Sequence, residues 1–294
     1  MQKDPATAWE TEFKRARRYE GGALFDLAES RYKRALAISR AFPRGDQRGF
    51  RTRLALADLY SIQGRIDEAE AAYIEVINLQ REAYGKDNEA IADSLNRLGV
   101  LYSDHGRAAQ AGPFFEGALQ IRAKAYGENH PATAATMQNL AGAYREIGRY
   151  EEAEVLYLRA LDVYDASGEQ YYGAATVVQN NLAVLYRRMG RGDRAESLHR
   201  NAIDLSVEVN GPRNPNVAVF ARDLANLYAE QERWGESERT FKQAIRIFID
   251  NYGQPHYEIR RTYEDYAAML AASGRPAEAK RFRDRAAAMA DTPR

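Results

Sequence analysis

Hydrophobic and small residues recur at helical spacing along most of this chain, and the stretch from Leu140 to Leu161 shows the pattern most clearly. Positions 140, 141, 144 and 147 are apolar or small, which places them on one side of a helix. Gly148 and Arg149 interrupt this stripe, and a second stripe begins at Ala153. The stretch therefore predicts two helices joined by a tight turn. Neither helix can bury its apolar side alone, so the pattern also predicts neighbouring hairpins.

The hairpin pattern repeats every 42 residues without an insertion. The first helix carries a leucine, then a small residue, and a tyrosine four positions after the leucine; the turn carries Gly-Arg, and the second helix carries an alanine. The leucine column contains Leu56, Leu98, Leu140, Leu182 and Leu224, and the turn column contains Gly64-Arg65, Gly106-Arg107, Gly148-Arg149, Gly190-Arg191 and Gly274-Arg275. Glu232-Arg233 replaces Gly-Arg in one turn. Such register over many columns predicts a repeat architecture.

The small-residue columns have a packing role. Small side chains in the columns of Ala141 and Ala153 are expected to let the two helices of a hairpin approach closely, because larger side chains would overpack the seam. A glycine after the first helix can adopt the left-handed conformation that ends many helices. The columns therefore predict closely packed helix pairs.

These repeats resemble the tetratricopeptide repeat, whose common period is 34 residues, and their longer period resembles the kinesin-light-chain-like subtype. The matching segments are LNRLGVLY from Leu95, GRYEEAEVLYLRAL from Gly148, NNLAVLY from Asn180 and the link AYGENHPATA from Ala125. The resemblance covers about residues 50–290. It implies an all-α fold, a right-handed α-solenoid of about seven helix-turn-helix repeats.

We expect a single solenoid domain over residues 1–294. Residues 1–47 would form a degenerate N-terminal capping repeat, 48–256 five regular repeats, 257–290 a C-terminal capping repeat, and 291–294 a tail. The N-terminal repeat has a basic surface, which is either a solvated cap or a site for an acidic partner. Tyr171 and Tyr172, in an atypical link, either pack locally or form an aromatic contact at a rim.

Composition and charge exclude several function classes. Lys and Arg together number 42, as do Asp and Glu, so no net field attracts nucleic acid or an anionic membrane. The chain has no cysteine and no apolar run long enough to span a bilayer. We find no catalytic constellation, paired-histidine metal spacing or phosphate loop, and predict neither an enzyme nor a cofactor. We expect a cytoplasmic location, or export if a signal segment has been removed.

The resemblance also implies where a ligand would bind. In this repeat class the first helices line the concave face, and the positions two and one before the repeat leucine, and two, five and six after it, face the groove. The Asn residues of the LNNLA motif are associated there with holding the backbone of an extended peptide. The peptide-binding residues predicted in this way are Asn96, Gln138, Asn139, Arg145, Asn180, Asn181, Arg187, Arg188, Arg222 and Asn226. Arginines beside amides predict an acidic ligand segment.

The sequence therefore predicts a non-enzymatic scaffold that binds an extended, acidic peptide segment of a partner protein in its groove. A merely hydrated concave face, with the partner bound elsewhere, is the alternative for the site. For the function, the alternatives are a self-assembly module, in which copies of the chain form homo-oligomers, and a regulatory or sensor domain of a larger protein.

Overall fold

The computed structural model describes residues 4–253 and 255–289, which form helices joined by short turns. Fourteen α-helices and one short 3-10 helix occur in these residues, and no strand does. The predicted all-α repeat solenoid is confirmed. The chain divides into two compact units, residues 1–147 and 148–294. The predicted tail, residues 291–294, lies outside the described residues, and the single-domain organisation stays a prediction.

The first unit contains seven helices, of which the first six form three hairpins and the seventh packs against the sixth. Its helices are α1 (Pro5–Gly21), α2 (Phe25–Ser39), α3 (Gln47–Ile62), α4 (Ile66–Tyr84), α5 (Glu89–Asp104), α6 (Ala108–Tyr126) and α7 (Pro131–Glu146). The basic side chains of the N-terminal hairpin have acidic neighbours: Lys14 pairs with Glu10, Arg31 with Glu12 and Lys33 with Glu29. These pairs offset three of the basic charges, which favours the solvated cap, and the role of this surface stays a prediction.

The second unit contains the remaining seven α-helices. They are α8 (Tyr150–Ala166), α9 (Tyr172–Arg188), α10 (Gly192–Asn210), α11 (Pro215–Glu230), α12 (Trp234–Tyr252), α13 (Tyr257–Ala272) and α14 (Pro276–Ala287). The 3-10 helix Glu169–Tyr171 precedes α9. Tyr171 stacks on Tyr164 with ring centroids 5.9 Å apart, and Tyr171 and Tyr172 are both partly buried. The atypical link therefore packs locally.

The start of each helix follows from its sequence. Most first helices of a hairpin begin after a side-chain N-cap, as at Asn88 and Asn214, where the amide oxygen accepts a backbone N–H. Turn glycines with positive φ precede the second helices. Glu232 holds the same left-handed conformation, with φ +58°, at the turn that lacks glycine. There the Arg233 N–H donates to the Tyr228 carbonyl at 2.9 Å, the same bond that Arg191 makes to Tyr186.

The small-residue columns are buried where the two helices of a hairpin meet. Ala183 and Ala195 are fully buried, for example, on α9 and α10. Gly99 on α5 shows how close the approach is, because a Cβ there would lie 2.6 Å from the Phe115 ring on α6. Phe115 is itself buried. The prediction that these columns set the packing of the hairpin is confirmed.

We expect Gly99→Ala to lower the free energy of unfolding by about 1–3 kcal/mol, because the added methyl group overlaps the Phe115 ring. The matched control is Gly173→Ala in the first turn of α9, where a Cβ meets no atom within 4 Å and no proline follows. The control should leave the stability unchanged or raise it by up to about 0.5 kcal/mol through helix propensity. Urea unfolding followed by circular dichroism measures both. Equal effects of the two substitutions would contradict the close approach.

A three-residue clasp joins consecutive hairpins. In the second unit, Glu196 on α10 accepts from the Tyr228 hydroxyl at 3.1 Å and from Arg233 at 2.6 Å. We call this arrangement the inter-hairpin clasp. The same arrangement recurs along the chain. The clasps are Glu29 with Tyr60 and Arg65, Glu154 with Tyr186 and Arg191, Glu196 with Tyr228 and Arg233, and Glu238 with Tyr266 and Arg275. The arginine after the turn therefore acts between hairpins, a role that the sequence reasoning missed.

Candidate functional site

Polar side chains connect the first helices of consecutive hairpins within each unit. The positions involved are those two and one before the repeat leucine and two after it. Side chains in these columns bond to each other at separations of 43 or 39 residues. We call this set of side chains the polar ladder. Its rungs lie between α3 and α5, α5 and α7, α9 and α11, and α11 and α13.

The first unit contains four predicted site residues, of which Asn96, Gln138 and Asn139 lie in the ladder columns and Arg145 lies outside them. Asn139 Nδ2 donates to Asn96 Oδ1 at 2.9 Å, so α5 and α7 are joined by an amide pair. Both side chains are partly exposed, as is Gln138. Arg145 is also partly exposed, and its guanidinium pairs with Glu146 at 3.0 Å. The predicted amides therefore share one surface, where they bond to each other and still face solvent.

The next rung, Arg97 to Asp58, was not among the predicted site residues. Arg97 Nη1 donates to Asp58 Oδ2 at 2.7 Å across α5 and α3. The signal for it was present in the sequence, because the two residues belong to columns that recur along the chain. The same separation of 39 residues joins Asn226 and Asp265 in the second unit, at 3.2 Å.

In the second unit, Asn180 on α9 is buried, with 3% of its surface exposed. Its Nδ2 donates to Asp223 Oδ2 at 2.8 Å, and its Oδ1 lies 2.8 Å from His199 Nδ1. His199 comes from α10 and is fully buried in a column that holds tyrosine or phenylalanine in other repeats, such as Tyr157. The amide of Asn180 is therefore fixed from inside the unit and orients Asp223.

Burial lowers the pKa of His199 to about 4, which keeps the imidazole neutral near pH 7. A neutral ring that donates through Nδ1 to Asn180 Oδ1 fixes which end of the amide faces Asp223. Asp223 occupies the column that holds asparagine at positions 139 and 181. It is the acceptor that this part of the ladder presents.

Arg222, a predicted site residue, is also buried, with 2% of its surface exposed. Its guanidinium bonds to Glu258 and lies 3.8 Å from Asp223 and 3.9 Å from Asp265. Three carboxylates from α11 and α13 thus surround one cation. Arg222 organises the interior of the ladder and offers little surface to a ligand.

The remaining predicted residues of the second unit face solvent to different degrees. Asn181, Arg187 and Asn226 are partly exposed, and Arg188 is exposed. Arg187 pairs with Glu230, 43 residues further along the chain. The accessible surface of α9 therefore presents arginines and side-chain amides. On α11 and α13, the carboxylates of Asp223, Asp265 and Glu230 lie beside Asn226.

No helix among the described residues is both long and apolar enough to cross a bilayer. These residues also contain no cluster of three or more His, Asp or Glu side chains arranged to hold a metal ion.

The tetratricopeptide repeat family model matches residues 50–112, 91–166, 175–250 and 221–292. No curated protein sequence matches the chain. Among solved structures, a putative kinesin light chain of Podosopora anserina with nearly identical repeats is similar, with TM-score 0.58 and 21% identity, covering 68% of this chain and 95% of that chain.

Two other similar structures cover almost the whole chain. Aspartyl phosphate phosphatase F from Bacillus subtilis has TM-score 0.77 and 12% identity, covering 98% of this chain and 71% of that chain. A Rap protein complexed with competence and sporulation factor has TM-score 0.67 and 15% identity, covering 96% of this chain and 74% of that chain. At these identities the likeness concerns the fold.

Proposed function

This chain belongs to the tetratricopeptide repeat family, with repeats of the kinesin-light-chain-like type, and from that premise we propose that it binds an extended segment of a partner protein along the polar ladder. The family is a class of non-enzymatic scaffolds for protein interactions, and we propose that this chain acts in the same way, without catalysis.

The observation that carries the proposal is the presence, in each unit, of partly exposed side-chain amides in the ladder columns. Asn96, Asn139, Asn181 and Asn226 belong to the same set of columns, and Gln138 lies beside them. An asparagine side chain offers one acceptor oxygen and two N–H donors, which match the carbonyl and N–H of a peptide unit. Asn139 uses one donor on Asn96 and keeps its oxygen for a ligand.

The charges along the second unit support a more specific ligand than a uniformly acidic one. Arg187 and Arg188 on α9 favour an acidic side chain at that point of the segment. Asp223 and Asp265, on α11 and α13, favour an uncharged or basic residue further along. We therefore propose that the acidic part of the segment lies on α9.

The test is a binding measurement with peptides selected on the wild-type protein from a random display library. We expect Asn181→Ala/Arg188→Ala to weaken the binding of a selected peptide by about 10-fold or more, because it removes an amide contact and a charge-assisted contact worth about 1–3 kcal/mol together. Fluorescence anisotropy of the labelled peptide gives the Kd.

The matched control is Asn201→Ala/Arg194→Ala, which removes the same two side-chain types from the exposed surface of α10. Its Kd should equal that of the wild type. If the ladder variant binds every selected peptide as tightly as the control variant, the ladder is not the binding surface. Circular dichroism melting checks that both variants remain folded.

A further inference from the structure

The first unit contains a cavity of about 500 Å³ beside the ladder rung that joins α3 and α5, and the proposed function does not account for its apolar part. It lies among α1, α3, the end of α4 and α5, and its apolar lining includes Phe13, Phe50 and Leu54. The rest of the lining is largely polar and includes Gln47, Gln80, Tyr84 and Asn88. Cavities of this size that place apolar side chains beside polar groups are typical of sites for small ligands or single side chains.

At the cavity, two of the ladder columns hold apolar residues instead of polar ones. The positions two and one before the repeat leucine, which hold amides further along the chain, are occupied here by Leu54 and Ala55. An apolar surface therefore replaces the amides that would hold a peptide backbone. The change favours an apolar group that inserts into the cavity over a backbone that passes across it.

Four charged side chains line the cavity, and three of them have a partner of opposite charge. Arg17 pairs with Glu20 at 3.3 Å, and Arg97 pairs with Asp58 at 2.7 Å. Arg51 forms no ion pair with a carboxylate within residues 4–253 and 255–289. Its guanidinium instead lies over the Phe13 ring, 4.7 Å from the centroid. The ring fixes one face of the guanidinium, and the N–H groups at its edge can donate to an anion.

We propose that this cavity binds an apolar group that carries a carboxylate or a similar anion, with the apolar part against Phe50 and Leu54 and the anion on Arg51. The charge of Arg51 selects the anion, because Arg97 and Asp58 compensate each other and Arg17 is compensated by Glu20. Glu10 feels the charge of Arg51 but pairs with Lys14 at 2.8 Å.

Two kinds of ligand carry a carboxylate on an apolar group: a free organic acid and the C-terminal residue of a peptide. One rung of the polar ladder, Asp58 to Arg97, lies in the lining, but the inference rests on Arg51 and the apolar side chains and does not require a peptide on the ladder.

The test compares two fluorescent probes of similar shape, anilinonaphthalene sulfonate, which is an anion, and phenylnaphthylamine, which is neutral. Arg51→Gln should weaken binding of the anionic probe by about 10-fold and leave the neutral probe unchanged, because it removes only the charge-assisted hydrogen bonds. Leu54→Trp should weaken both probes, because the larger side chain fills the cavity.

Arg53→Gln is the matched control. Arg53 is two residues away on α3, carries the same charge, pairs with Glu75 and lines a different cavity. It should not change the affinity for either probe. Affinity for the anionic probe that is unchanged in Arg51→Gln, or lowered equally in Arg53→Gln, would overturn the proposal.

Competition distinguishes the two kinds of ligand. Displacement of the anionic probe by naphthalene acetate, but not by a short peptide ending in phenylalanine, would assign the cavity to free organic acids. Displacement by that peptide, but not by its C-terminal amide, would assign it to peptide ends. Displacement of the probe by both competitors would show that the cavity accepts either kind of carboxylate. If neither competitor displaces the probe, the proposal is wrong.

Discussion

Lowering the pH from about 5 to about 2 is expected to remove several kcal/mol of folding stability, mainly through the inter-hairpin clasps. Hydrogen bonds from Arg65, Arg233 and Arg275 lower the pKa of Glu29, Glu196 and Glu238 from 4.5 to about 2. Because the folded-state pKa lies below the unfolded-state value, the stabilisation is complete above pH 4.5 and is lost as the pH falls towards 2.

Each clasp carboxylate accepts charge-assisted hydrogen bonds worth about 1.5–3 kcal/mol. The glutamates are mostly buried, while their arginine partners are about one-third exposed, so we expect the lower end of this range. Loss of three clasps would still exceed the effect of any single substitution considered above. Denaturant unfolding at pH 7, 4.5 and 3, followed by circular dichroism, measures the decline.

The matched pair for this prediction is Glu196→Gln and Glu208→Gln, both on α10. Glu196→Gln should lower the stability at pH 7 by about 1–2 kcal/mol and should reduce the further loss on acidification, because one titrating clasp is gone. Glu208 is exposed, and its substitution should change neither quantity. A pH dependence that is the same in both variants would show that the clasps do not control acid unfolding.

His199 adds an earlier loss of stability. Its pKa is lowered by burial from 6.5 to about 4, so the unfolded chain takes up a proton in this range before the folded protein does. Stability should therefore begin to fall as the pH drops below about 6.5, before the clasps titrate. The two contributions occupy successive pH ranges.

The fold could be predicted from the sequence because every hairpin uses nearly the same residues at the same helix contacts. The leucine, small-residue and Gly-Arg columns all lie at contacts or turns between helices that are adjacent in sequence. Gly99 is an instructive case, since its column is otherwise mainly alanine and only the structure shows the Phe115 ring against it. Periodicity identified which positions are buried, but it could not give the distance between helices.

The candidate site was less predictable, because its side chains are fixed by partners in other repeats. Asn180 was among the predicted peptide-binding residues, yet His199 and Asp223 engage both ends of its amide. That outcome depends on a histidine in an aromatic column one helix away. Arg222 is likewise engaged by Glu258, which follows a later link. A column gives the direction of a side chain, and its neighbours in adjacent repeats decide whether a ligand can reach it.

Glu258→Gln is expected to lower the free energy of unfolding by about 3 kcal/mol, because it removes the carboxylate bonded to the buried Arg222 guanidinium. Breaking a buried ion pair by removing one partner costs about 3–5 kcal/mol, since an uncompensated charge is left inside the protein. Asp223 and Asp265 lie 3.8 and 3.9 Å from Arg222 and offset part of this cost. The expected value is therefore at the lower end.

A second substitution separates the lost ion pair from a general effect on α13. In Arg222→Met/Glu258→Gln the buried cation and the carboxylate bonded to it are both removed, and Asp223 and Asp265, which are 16% and 31% exposed, still reach solvent. Part of the stability should therefore return, as when buried ion pairs are replaced by apolar residues. Glu264→Gln, on the exposed surface of the same helix, should change the stability by less than about 0.5 kcal/mol. Chemical denaturation of the three variants gives these differences. If Glu258→Gln costs no more than Glu264→Gln, then Asp223 and Asp265 alone compensate Arg222, and the acidic surface of α11 and α13 has less charge to offer a ligand.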